Sequence, residues 1–212
     1  MTAYITEQEL LDYIKSPVMP SDNSVIIDAI DAASREIDGH CGRYFFQQQE
    51  TQYFSADPRD PSCLWLLPLD DMDLATVTGL VVRSETSNDG LYPTAWTINV
   101  DFICEPINQS QGGITGWPYT KLRAIGGKVW PLRFIPWQRD TVQIQGTWGW
   151  PAVPGAVKQA CKILTAQSFK LGEAALGVAG FGEFGFVRVR DIPRVEKILQ
   201  PYVKTSVTYG VA

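Results

Sequence analysis

The sequence predicts an α+β fold: a helical bundle of about four helices carrying a large inserted β subdomain. Three observations predict it. Apolar residues recur at helical spacing near both ends of the chain. The middle, from about 51 to 147, is instead rich in Pro, Gly, Trp and β-branched residues. The run from Val142 to Pro154 then closes a strand and opens a helix. The division that follows is 1–50 for the N-terminal helices, 51–149 for the inserted β subdomain, 150–203 for the C-terminal helices with a Gly/Phe-rich loop, and 204–212 for an extended tail.

The helices come first. Thr6-Glu7-Gln8-Glu9 is a capping box, with Ile5 and Leu10 at the hydrophobic-staple positions. It starts a short helix to about Ile14, which Ser16-Pro17 ends. Ser21 or Asp22 caps a longer helix whose stripe is Ile26, Ile30, Ala33 and Ile37. Gly39 and Gly42 mark its end. In the middle, the candidate strands are 51–54, 64–67, 76–83, 95–100, 121–125 and 142–147. Asn88-Asp89-Gly90 signals a turn, while Gln109–Gly113 and Gly126-Gly127 read as loops. After Pro154, a stripe of Val157, Cys161, Leu164, Ser168 and Leu171 predicts a helix closed by Gly172. Asp191 then caps a last short helix with Pro193 in its first turn, and Pro201 stops it.

Composition narrows the function. Of 212 residues, 45% are hydrophobic and 19% charged, which suits a globular chain. No apolar run approaches the roughly 20 residues of a membrane span. The start, Met1–Glu7, has neither a basic segment nor an apolar core and does not read as a signal peptide. The net charge of -5 argues against a protein that grips nucleic acid through its phosphates. An acidic wall would nonetheless let DNA slide past without sticking.

Chemistry-bearing residues are sparse. Cys41, Cys63, Cys104 and Cys161 form no CxxC pair and read as buried apolar residues. With His40 the one histidine, a zinc site is poorly supported. His40 beside Cys41 reads as a helix C-terminal cap, because adjacent helical side chains point apart and cannot form a Cys-His pair. Asp70, Asp71 and Asp73 could hold a divalent ion or supply a carboxylate pair for hydrolysis. However, the glycine and distal glutamate of a calcium loop are missing, and there is no histidine partner beyond His40 and no nucleophile elbow, so they read as a solvated turn. The glycines of 177–182 do not make a phosphate loop. No catalytic residue, cofactor or metal ligand is therefore assigned. The seven tryptophans read as packing residues; an exposed row of them would instead make a carbohydrate-binding β module with helical flanks, the alternative function.

Three groups read as contact surfaces. Phe181, Phe184 and Phe186 lie in a Gly-rich stretch with little internal stability, yet are costly to leave in water. They are read as anchors for an adjacent subunit, the alternative being that they fold back on their own helices. Arg188 and Arg190 alternate with Val187 and Val189, as in an edge strand or extended arm whose basic face pairs an acidic neighbour, the alternative being a solvated strand face. Val203–Val211 at the C-terminus is β-prone and suits strand addition to a partner's sheet edge, the alternative being a frayed tail; Tyr202, Val207 and Tyr209 are the contact candidates there.

Several runs carry a resemblance. They are Ala29–Asp38 leading to Cys41-Gly42-Arg43-Tyr44-Phe45, then Val142–Pro154, Val157–Ala160, Phe169-Lys170 and Gly177–Gly185. In this order they resemble the head-to-tail adaptor (connector) proteins of tailed bacteriophages, the gp6-like and gp15-like group. The match covers both ends well and the middle poorly. The resemblance implies a structural subunit and no enzyme. It implies a homo-oligomeric ring, usually of twelve copies, beneath the portal protein, with a docking face for the next neck or tail-completion protein. Double-stranded DNA would pass through the lumen without specific binding. Membranes would play no part, and the protein would sit in the virion neck after assembly in the host cytoplasm.

Overall fold

A computed structural model describes residues 3–15, 24–69, 72–133, 139–175 and 188–204. The fold is α+β, with helices and several antiparallel sheets. The chain divides into two compact units. Unit 1 is Met1–Phe45 with Val153–Ala212, and unit 2 is Phe46–Ala152.

Unit 1 is helical. Helix α1 spans Glu7–Ile14, α2 Ser24–Cys41, α3 Gly155–Ala175 and α4 Pro193–Leu199. The capping box at α1 is formed: Glu9 N donates to Thr6 Oγ1 at 3.1 Å, and Thr6 N to Glu9 Oε2 at 3.0 Å. Two of the orphan amides of the first turn are thereby satisfied. Helix α2 buries Ile26, Ile30, Ala33, Ser34, Ile37, Asp38 and Cys41, the predicted stripe widened by two polar residues. Helix α3 packs against α1, α2 and α4 through Val157, Ala160, Cys161 and Leu164. Burial of each large aliphatic side chain here stabilises the unit by about 1.5–3 kcal/mol. Gly172 does not close α3; the helix continues to Ala175. Nor does Asp191 cap α4, whose N-cap residue is Ile192 with no side-chain bond. The proposed caps Ser21 and Asp22 lie outside the described residues.

The two polar residues in the stripe of α2 belong to one network. Tyr4 N donates to Ser34 Oγ at 3.2 Å, and Ser34 Oγ donates to Ile30 O at 2.8 Å. The Tyr4 hydroxyl donates to Asp38 Oδ1 and accepts from Phe45 N at 3.0 Å. Arg35 pairs with the other Asp38 oxygen at 2.8 Å. Burial raises the Asp38 carboxyl to about 6, although Tyr4 and Arg35 both favour its charged form. Burial, reinforced by Asp38, also raises the Tyr4 phenol.

Unit 2 holds nine strands among the described residues: β1 Gln48–Phe54, β2 Leu66–Pro68, β3 Leu74–Ser84, β4 Thr94–Trp96, β5 Phe102–Glu105, β6 Ser110–Gln111, β7 Ile114–Thr115, β8 Lys121–Ala124 and β9 Val142–Trp148. Their sheets run in the orders β1-β9-β3-β4, β2-β8-β5 and β6-β7. β9 shows why its sequence makes a strand: Val142, Ile144, Gly146 and Trp148 are buried while Gln143, Gln145 and Thr147 are not. Side chains from the two larger sheets share one core, among them Val82, Ile144 and Trp148 with Leu67, Phe102 and Leu122. At its centre Trp96 and Trp130 stack at 4.1 Å. β3 is bulged against β9: between the pairs Thr76↔Thr147 and Val81↔Gln145 it advances five residues while β9 advances two.

Candidate functional site

The predicted contact residues fall into two groups. Phe181, Phe184, Phe186, Val207 and Tyr209 lie outside the described residues. Arg188, Arg190 and Tyr202 lie within them. The described part of the alternation, Arg188-Val189-Arg190, does not make an edge strand. Val189–Asp191 is a 3-10 turn, because the Asp191 carboxylate accepts from Arg188 N at 3.2 Å and folds the segment back. Val189 is fully buried, and its amide donates to Glu36 Oε1 of α2 at 3.0 Å. This anchor leaves Arg188 and Arg190 both exposed. Arg190 approaches Asp191 only to 3.9 Å across an exposed surface, so the pair contributes little.

Tyr202 belongs to the core of unit 1. It is 6% exposed, and its ring meets Phe45 edge-on at 6.0 Å. Two residues later, Lys204 N donates to Cys41 O at 2.9 Å. The stretch from Arg188 to Lys204 is therefore tied to α2 at both ends, by Glu36 and by Cys41. It carries exposed Arg188, Arg190, Arg194 and Lys197 on a chain whose net charge is -5. A groove of about 410 Å³ beside it is lined by His40, Pro193, Glu196, Lys197, Gln200 and Val203.

The residues weighed for catalysis are engaged elsewhere. Cys41 is fully buried, and burial pushes its thiol up to about 12, the wrong direction for a nucleophile. Burial likewise pushes Cys104 up to about 12 and Cys161 up to about 11. All four cysteines are buried and unbridged. Asp73 does not lie in a solvated turn. It is 4% exposed because the Trp150 indole donates to Oδ2 at 3.2 Å, and Gly149 N donates to its carbonyl at 2.7 Å. Asp70 and Asp71 lie outside the described residues. No group of three or more His, Cys, Asp or Glu among the described residues could hold a metal ion. No described helix is long and apolar enough to cross a membrane.

The tryptophans pack rather than display. Trp96, Trp117, Trp130, Trp148 and Trp150 are at most 9% exposed, whereas Trp65 is 51% exposed. Trp137 lies outside the described residues. Among the described residues one exposed indole does not form the row that a sugar-stacking platform needs.

Sequence reasoning missed one surface, the outer edge of β1. β1 has β9 on one side and no strand on the other among the described residues. The available signal was the polar run Gln47–Gln52, which reads as unremarkable until the topology puts it at an edge.

No protein-family model matches the chain, and no curated protein matches it. Solved structures do. A chain from the neck of an empty GTA particle, computed with C6 symmetry, matches with a TM-score of 0.55 at 17% identity, over 99% of this chain and 96% of that one. A chain from the neck of a native GTA particle, computed with C12 symmetry, matches with a TM-score of 0.52 at 17% identity, over 99% of both chains. A chain from the virion of a native gene transfer agent (GTA) particle matches with a TM-score of 0.56 at 19% identity, over 98% and 93%. At these identities the likeness is one of fold, and it spans both units.

Proposed function

We propose that this chain is a structural head-to-tail adaptor, a subunit of the neck of a tailed-phage-like particle. Copies form a ring, twelve in number, beneath a portal. The ring extends the DNA channel and presents a face to the next neck component. The observation that supports this reading is the likeness of fold to neck chains over nearly their whole length and nearly the whole of this one. Those necks were computed with C6 and C12 symmetry, which suits a ring of this copy number. The net charge of -5 suits a channel through which DNA slides without specific binding. In this reading the residues between the described ends 175 and 188, with Phe181, Phe184 and Phe186, become buried against a neighbouring copy. Exposed Arg188 and Arg190 face an acidic neighbour, and the role needs no catalytic step.

The test is the mass of the full chain, alone and mixed with a portal ring, followed by negative-stain imaging. A twelvefold annulus is expected in at least one condition. Changing Phe181 and Phe184 together to Ser should abolish the annulus and leave the circular dichroism of the subunit unchanged. A chain that stays monomeric in both conditions and binds oligosaccharide would overturn the adaptor reading.

A further inference from the structure

β1 is seven residues long, and its register with β9 is unbroken over all seven pairs. Sheets that must stay closed protect such an edge with proline, lysine, a bulge or brevity. β1 has none of these in Gln48-Gln49-Glu50-Thr51-Gln52-Tyr53-Phe54. The opposite edge of the same sheet, β4, has only three residues. The single charge on β1 is Glu50, and it is engaged along its own strand. Its Oε2 accepts from Gln48 Nε2 at 3.0 Å and from Gln52 Nε2 at 2.8 Å. The edge therefore presents main-chain donors and acceptors with little to repel an incoming strand.

The chain carries a segment of matching length and chemistry. Eight residues, 205–212, follow the last described residue, Lys204. Thr205, Val207, Tyr209 and Val211 alternate with Ser206, Thr208 and Gly210. This is the period of a strand, built from β-branched and aromatic residues. The segment holds no charged side chain, so nothing in it opposes or duplicates Glu50.

We propose that β1 of one copy receives residues 205–212 of a second copy as an added strand. The inference rests on the ring reading. Ring contacts join two different surfaces of the same chain, and an edge that takes a tail is such a pair. Strand addition supplies main-chain hydrogen bonds for affinity, while alternate side chains fix the register.

The experiment uses two full-length variants, Thr51→Cys and Val207→Cys, each with a tag of different size. The four native cysteines are buried, so a short bis-maleimide joins only the introduced thiols. The two variants are mixed in equal amounts and cross-linked, and ring formation is followed by light scattering in the same samples. A covalent pair containing one of each variant is expected wherever rings form. Gln49→Cys with Tyr209→Cys is a second pairing, should the first variant fail to fold. Rings without the mixed pair overturn the strand exchange and leave the ring reading standing. Absence of rings and of mixed pairs, alone and with a portal ring present, overturns both. A chain carrying both substitutions that cross-links only to itself places the tail on its own β1 and overturns the exchange.

Discussion

Two glycines offer a matched experiment on what holds unit 2 together. Gly79, in the bulge of β3, has φ +73 and open space where a Cβ would stand. Gly149, directly after β9, has φ +104, and a Cβ there would lie 1.7 Å from Phe46 O and 2.8 Å from Phe46 C. Alanine at Gly79 bears only the left-handed backbone penalty of about 1–2 kcal/mol. Alanine at Gly149 bears that penalty and also forces the Phe46 peptide to retreat. The shift strains the bond from Gly149 N to Asp73 O, now 2.7 Å. Losing a buried backbone bond adds about 1–3 kcal/mol, so the expected total is about 2–5 kcal/mol. Urea unfolding followed by tryptophan fluorescence reads this directly, because all seven tryptophans fall between Trp65 and Trp150, within unit 2. With a slope of about 2 kcal/mol per molar urea, Gly149→Ala should lower the midpoint by about 1–2.5 M, and Gly79→Ala by about 0.5–1 M. Equal shifts for the two variants would refute the steric argument.

Other predictions concern unit 1 and the thiols. Tyr4→Phe removes the hydroxyl shared by Asp38 and Phe45 N, leaving two buried polar groups without it. It should destabilise the helices by about 2–4 kcal/mol in far-ultraviolet circular dichroism, and an unchanged midpoint would show the network to be idle. Asp38 has a folded-state value raised to about 6 from 3.8, so the folded chain holds its proton longer than the unfolded chain. Stability from this group is therefore greatest below about pH 4 and falls as pH rises through 6, by roughly 3 kcal/mol in all. Asp38→Asn should flatten that part of the stability–pH curve; a slope unaffected by the substitution would assign it to another group. Finally, the native chain should react with an aromatic disulfide reagent at none of its four buried thiols until it unfolds. Fast reaction of even one thiol in the native state would contradict the burial described.

The sequence told most where local chemistry and tertiary packing agree. The capping box at Thr6 and the stripe Ile26, Ile30, Ala33 and Ile37 are formed as read, because each buries one face of a regular helix. It told less where packing overrides pattern. Val187–Arg190 alternates like a strand, yet the bonds to Asp191 and Glu36 fold Val189–Asp191 into a 3-10 turn. The run 95–100 reads as one strand, but Thr97 O accepts from Val100 N and Asp101 N, and the chain turns there. β5 then begins at Phe102, unseen because its four residues follow the turn directly. β6 and β7, two residues each about Gly112-Gly113, are too short for any periodicity to reveal. The run Gln48–Phe54 was legible in part as a strand, but its place at an edge depends on β9, about a hundred residues later, which no local pattern reports.

Unit 1 is assembled from both extremities of the polypeptide, and that has a consequence for synthesis. Helices α1 and α2 leave the ribosome more than a hundred residues ahead of α3, the partner that covers their apolar faces. β1 and β9, at the start and finish of unit 2, pair from Gln48↔Trp148 onward and can close that unit in the interval. The nascent chain thus carries an uncovered helical pair while its middle is already folded, the stage at which such chains aggregate most readily. Slowing translation anywhere between the end of α2 and the completion of α3 would prolong that exposure, whereas slowing it before α2 would not.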